Sequence, residues 1–228
     1  MFVPLHDHNP LDVIRFQIVT VAILAVNIGL FLWTNYGLSD QDRLLQVLSY
    51  GIVPAELLST KIASYPATPL FEGLTLGTYM FFHAGWMHLI GNMLFLWVFA
   101  DNIEDAMGHM RFLVFYLACG IASGLAHAMM TQGSPAPLVG ASGAVAGVLG
   151  AYLVLYPTAR VWVLLLFRIP IRIPAYWALC GWIGFQFFSL WISGDGNNVA
   201  WWAHIGGFAA GVILVFLMRR PNAVRSST

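Results

Sequence analysis

Ser142 stands in the run GASGAVAG (140–147), a string of small residues with a single hydroxyl. The other residues of comparable chemical interest are His204 in HIGGFAAG (204–211), and His88 and Asn92 in HAGWMHLIGN (83–92). A serine beside a neutral imidazole is the minimum apparatus for nucleophilic acyl transfer, because the imidazole takes the proton as the oxygen attacks. The tetrahedral intermediate then needs N–H donors aimed at its oxygen. His88 and Asn92 are four residues apart, so on a helix they share a face and can offer donors to one point. The Ser142 backbone N–H, in the first turn of its helix, lacks an intrahelical partner and is a third donor. Singly, each residue has a blander reading: a serine among glycines lets two membrane helices touch, and an asparagine bonds one helix to another. Their company is what points to chemistry.

The elements that must position them lie in a bilayer. Of 228 residues, 59% are hydrophobic and 9% charged, against roughly 25% charged in a soluble domain. Net charge is zero and nine of the ten cations are Arg, with no basic tract, so nucleic acid is not an expected partner. Cys119 and Cys180 sit inside apolar runs, where cysteine acts as a small hydrophobe, and no disulfide is expected. The opening MFVPLHDHNP has no basic n-region, so the first apolar segment is expected to be retained.

Crossing a bilayer takes about 20 apolar residues, and six stretches qualify: 16–34, 85–103, 111–130, 139–157, 174–193 and 199–218. The predicted fold class is an all-α membrane protein, a six-helix bundle with a long amphipathic first outer loop. Residues 1–15 are a short N-terminal tail, 16–218 the six-span domain and 219–228 a C-terminal tail. The first loop holds Asp40, Asp42, Arg43, Glu56, Lys61 and Glu72 between Pro54, Pro66 and Pro69; its LLQVLSYGIVPAELL segment (44–58) suits the membrane interface. With a cytoplasmic N-terminus, Arg15, Arg111, Arg160, Arg168, Arg172, Arg219, Arg220 and Arg225 fall inside and only Arg43 and Lys61 outside, which places both termini in the cytoplasm. The connection RVWVLLLFRIPIRIPAYW (160–177) can extend a span or re-enter the membrane, but its arginines and prolines favour an inner-face loop.

Spans two, four and six then run the same way, and Ser142, His204, His88 and Asn92 all fall in the outer half of the membrane. Gly143 and Gly147 on span four, and Gly207 and Gly211 on span six, form small-xxx-small pairs that let the two helices pack backbone to backbone. That packing is expected to bring the Ser142 hydroxyl within hydrogen-bond reach of His204. Asp101, Glu104 and Asp105 lie at the inner end and Asp195 in an outer loop, so a Ser–His dyad fits better than a triad.

HAGWMHLIGN (83–92), GASG (140–143) and AHIGGFAAG (203–211), in that order on alternate spans, resemble the rhomboid intramembrane serine proteases. The resemblance covers nearly the whole six-span core. It implies Ser142 as nucleophile and His204 as general base, with an oxyanion site of His88, Asn92 and the Ser142 N–H; Gly140 and His83 match further motif positions, with Gly143 in support. It implies single-pass membrane proteins as substrates, cleaved in or beside their transmembrane segment, and no cofactor. Separately, the absence of a transit peptide favours a bacterial-type plasma or inner membrane, the depth of the four residues puts the site near the outer face, and no metal is expected. Many members carry a Trp-Arg pair in the first outer loop where this chain has Leu74 and Thr75. Some have an aromatic one turn after the nucleophile, where this chain has Ala146, so Trp201 or Trp202 is expected to help orient His204.

The remaining polar residues take structural readings. His83 lies about 140° round an ideal helix from His88 and is expected to serve the loop-to-helix junction. His109 and His127 are structural; His6 and His8 are solvated. Glu104 and Arg111 are expected to tie helix ends together. No His-Glu-x-x-His run occurs, which excludes that metalloprotease signature. A proton pathway would use intramembrane His and Asn but leaves the small-residue serine helix unexplained. The serious alternative is an inactive rhomboid-like protein that binds membrane segments without cutting them.

Overall fold

The computed structural model describes residues 2–58, 72–165, 168–193 and 200–221. Lys61, Pro66, Pro69, Asp195 and Arg225 lie outside the described residues. Each of the six apolar stretches is a helix: α1 (Ile18–Gly37), α5 (Trp86–Met107), α6 (His109–Met130), α7 (Ser142–Leu155), α8 (Ala175–Ser193) and α9 (Trp201–Met218). The first loop adds α2 (Asp40–Tyr50), capped where the Ser39 hydroxyl accepts from the Asp42 N–H, then α3 (Pro54–Leu57) and α4 (Glu72–Thr78).

α1, α6, α8 and α9 are long and apolar enough to cross a bilayer; α5 qualifies together with the short helical stretch before it, from which it is bent by 89°. α7 is different. Its 14 residues span about 21 Å at 1.5 Å per residue, short of the roughly 30 Å hydrocarbon core. It can be short because protein surrounds it: residues 143–152 are all buried. The irregular segment before it satisfies its backbone internally, as a bilayer demands. Leu138 exchanges both hydrogen bonds with Ile52 (3.0 and 2.7 Å), Ser134 O accepts from Ala55 N (3.1 Å), and the Gly140 N–H donates to Tyr79 O (3.0 Å). Ser142 thus starts a central helix below an ordered loop.

At the opposite end lies an element the sequence reading did not anticipate. β1 (Phe2–Asp7), β2 (Arg160–Leu165) and β3 (Ile169–Pro174) form an antiparallel sheet in that order. The 160–177 connection is therefore a hairpin, followed by the start of α8, rather than a loop. Val161 and Val163 are buried while their neighbours are not, a period-two pattern masked by the unbroken apolar run VWVLLLF. Pro170 and Pro174 fall on the edge strand, where a missing donor costs no ladder bond. The first residues of the N-terminal tail are likewise a strand. His8, exposed as expected, also accepts at Nε2 from Trp162 Nε1 (3.2 Å), and the buried Asp7 accepts from the Tyr152 hydroxyl (2.6 Å).

Glu104 also departs from expectation. It accepts from Val19 N (2.9 Å), Thr20 N (2.8 Å) and Thr20 Oγ1 (2.7 Å), and pairs with His109 Nδ1 at 2.5 Å. Arg111 is exposed. The carboxylate goes where orphan N–H groups and the positive helix end lie, at the start of α1. Asp105 does the same just upstream, accepting from Asp12, Val13 and Ile14 N–H groups at 2.6–2.9 Å.

Candidate active site

The site begins with glycines. A Cβ at Gly207 would collide with the Gly143 carbonyl oxygen, one at Gly211 with the Gly147 carbonyl oxygen, and one at Gly150 with the Phe208 carbonyl oxygen. α7 and α9 therefore touch backbone to backbone along the register the small-xxx-small pairs predict. Gly206, next to Gly207, faces Ala126 of α6 instead, and Ser123 of α6 donates to Ala203 O at 2.8 Å. α9 is thus seated on two helices at once. Cys119 of α6 packs on Gly147, and Cys180 is exposed on α8. Ser142 at the first residue of α7 and His204 in the first turn of α9 come to the same end of the bundle.

The α5 side follows from Gly140. Its φ of +130° is a conformation that L side chains rarely adopt, and a Cβ there would stand 2.5 Å from Cε1 and 2.6 Å from Nε2 of His88. The His88 ring therefore lies against the turn two residues before Ser142. Asn92, one helical turn on and on the same face, is 7% exposed, and its Nδ2 has no hydrogen-bond partner among the described residues. Buried amides are normally paired, so this one leaves an idle donor on the face of α5 that also carries His88. The ring of His83 meets that of His88 edge-on at 5.1 Å; His83 is buried and both of its ring nitrogens are unpartnered among the described residues. Tyr79 holds the turn from below, accepting from Gly140 N and donating its hydroxyl to Gly120 O at 2.7 Å.

His204 has more around its ring than the expected tryptophan. Its Nδ1 is 2.7 Å from Oε1 of Gln186 on α8, and its ring lies 5.7 Å from that of Trp182, also on α8, at an interplanar angle of 41°. Trp201 touches the ring edge-on at 6.3 Å; no ring contact from Trp202 is found among the described residues. The aromatic face that Ala146 cannot supply comes mainly from another helix. Among the described residues the Ser142 hydroxyl has no hydrogen-bond partner, so packing brings the pair to one end without joining them by a hydrogen bond. Catalytic hydrogen bonds commonly tighten only when substrate is bound.

Gln186, Trp182 and Tyr79 were not singled out from sequence. Gln186 carried a readable signal, as a strongly polar residue inside the apolar stretch PAYWALCGWIGFQFFSLWIS (174–193), where each such group is a functional hypothesis. Trp182 and Tyr79 carried none, since aromatics near span ends read equally well as interfacial anchors.

Comparison with known proteins adds an independent line. A family model described as "Rhomboid domain" matches residues 71–221. The chain is 45% identical over 71 residues to "Rhomboid protease GluP" of Bacillus subtilis (strain 168), a match covering 31% of this chain and 13% of that one. It is 29% identical over 202 residues to "Rhomboid protein 1, mitochondrial" of Saccharomyces cerevisiae, covering 84% and 51%. It is 30% identical over 135 residues to "Putative rhomboid protease YdcA" of Bacillus subtilis (strain 168), covering 59% and 62%. The matches span between 13% and 62% of these relatives' lengths.

Proposed function

The chain belongs to the rhomboid family, and on that premise we propose that this multi-pass membrane protein is an intramembrane serine endopeptidase working through a Ser142–His204 dyad. Its substrates are single-pass membrane proteins cut within or next to their transmembrane segment. The observation that carries the reading is the contact of Gly143 with Gly207 and of Gly147 with Gly211, which sets the starts of α7 and α9 side by side.

Ser142 Oγ attacks the scissile carbonyl carbon while the free Nε2 of His204 takes the hydroxyl proton. The carbonyl oxygen becomes an oxyanion that accepts from Asn92 Nδ2, the Ser142 N–H and the His88 ring. His204 returns the proton to the departing amine, leaving an acyl-serine. Water then attacks that ester with the same base, and Ser142 is restored. Burial of the site within protein strengthens each of these hydrogen bonds relative to bulk water. The arginine distribution supports both termini in the cytoplasm and a site toward the outer face of the membrane.

The test incubates purified protein, in detergent and in liposomes, with a labelled single-span substrate beside Ser142→Ala and His204→Ala. Wild type should cut and both variants should fall by at least about 1,000-fold. A fluorophosphonate probe should label wild type and spare Ser142→Ala. Cutting by either variant at the wild-type rate removes the dyad, and failure of wild type to cut or label leaves the segment-binding, inactive reading.

A further inference from the structure

We propose that Gln186 is a positioning residue for the base, making the site a Ser142–His204–Gln186 relay with a neutral third member carried on α8; this rests on the dyad reading above. The geometry comes from two bonds. Gln186 Oε1 lies 2.7 Å from His204 Nδ1, and Gln186 Nε2 donates to Trp182 O at 3.3 Å, one turn back on its own helix. The second bond fixes which end of the amide faces the ring. An amide oxygen only accepts, so Nδ1 must carry the proton, and the lone pair falls on Nε2, the nitrogen that the dyad reading assigns to the Ser142 proton. Gln186 is 4% exposed, so no water competes for that proton. The Trp182 ring lies against the same imidazole, and the same helix therefore supplies both the hydrogen bond and the face that set its plane.

A carboxylate does this work in triads, where it also stabilises the imidazolium. Here the titratable groups acting on His204 are His88 of α5 and His127 of α6, and neither brings a negative charge. An uncharged acceptor fixes the tautomer without the desolvation penalty of a buried anion. Because the acceptor rides on α8 while the base rides on α9, a shift of α8 by one or two ångströms breaks the bond. The readiness of the base is coupled to the seating of that helix.

The test compares full-length wild type, Gln186→Met and Gln186→Glu on the labelled single-span substrate, with kcat and KM followed across pH and Ser142→Ala run alongside. Gln186→Met should lose about 100-fold in kcat, the low end of what a general base contributes, with KM within about twofold. Gln186→Glu should regain most of that loss, and the acid limb of its profile should move up by about one pH unit, because a carboxylate at Nδ1 favours the imidazolium. Wild-type kcat in Gln186→Met, or a Gln186→Glu profile with an unmoved acid limb, overturns the role of Gln186 and leaves the dyad standing. Wild-type activity in Ser142→Ala overturns both. Should Gln186→Met fail to fold, the pH profile of Gln186→Glu and the rate at which a fluorophosphonate labels its Ser142 carry the test.

Discussion

The Gly143 carbonyl oxygen occupies the space that a Cβ at Gly207 would need. Since the oxygen is backbone and the position of a Cβ is fixed by the backbone that carries it, no rotamer change can relieve the collision. Gly207→Ala must push α9 away from α7 and take His204 with it. Overpacking of this kind costs about 1–3 kcal/mol, and an ångström of displacement can cost on the order of 100-fold in rate. Activity should therefore fall by more than the lost stability explains. Gly181→Ala, at a position with open space around it, is the control. Equal activity in the two variants would show that close packing of α7 and α9 does not set the site.

Asn92 supplies an idle amide donor on the face that His88 turns toward Gly140. Removing one oxyanion donor costs about 100- to 1,000-fold in kcat. Asn92→Ala should show that loss with little change in KM and an unchanged melting temperature, since the Nδ2 it deletes has no partner among the described residues. A fall in melting temperature with kcat preserved would make Asn92 a helix-to-helix tie instead.

Glu104, 0% exposed, gathers two N–H groups and a hydroxyl from the start of α1 together with the ring of His109. Glu104→Ala strands those donors at a buried helix end, a cost of about 1–3 kcal/mol. The expected result is a lower melting temperature in detergent at wild-type kcat for the molecules still folded, because the cluster lies at the end of the bundle away from Ser142. Loss of kcat without loss of stability would contradict that separation.

Asp7 gives a pH dependence. Burial raises its carboxyl above the ordinary 3.8, although the Tyr152 hydroxyl and His6 act the other way. The folded state therefore holds this proton more tightly than the unfolded chain, so the contribution is full below about pH 3.8 and is lost as pH rises through the raised value. Asp7→Asn keeps an acceptor for Tyr152 and carries no charge. It should melt above wild type near pH 7, with the gap closing toward pH 4; a variant less stable than wild type at neutral pH would reverse the sign.

The helices were legible because apolar length is a local and additive property: each of 111–130, 174–193 and 199–218 matches its helix to within a few residues. The glycine spacing was legible for a related reason, since residues four apart share a helix face whatever surrounds them, and Gly143, Gly147, Gly207 and Gly211 meet as that rule requires. Composition and periodicity, with the order of three short motifs, were enough to select the bundle, the pair of touching helices and the candidate dyad.

Partners that come from elsewhere in the chain were not legible. Phe2 pairs with Leu165 across the sequence, and no local pattern announces that. Glu104 could as well have met Arg111 as the start of α1, and nothing local announced that Gln186 and Trp182 would join Trp201 at the ring of His204. Each choice depends on how one helix is rotated and seated against another, which the close packing of the whole core decides. Sequence alone determined which segments enter the membrane and which residues can do chemistry there; tertiary structure decided which hydrogen bond each of them makes, because a buried polar group takes whatever partner the packing leaves within about 3 Å.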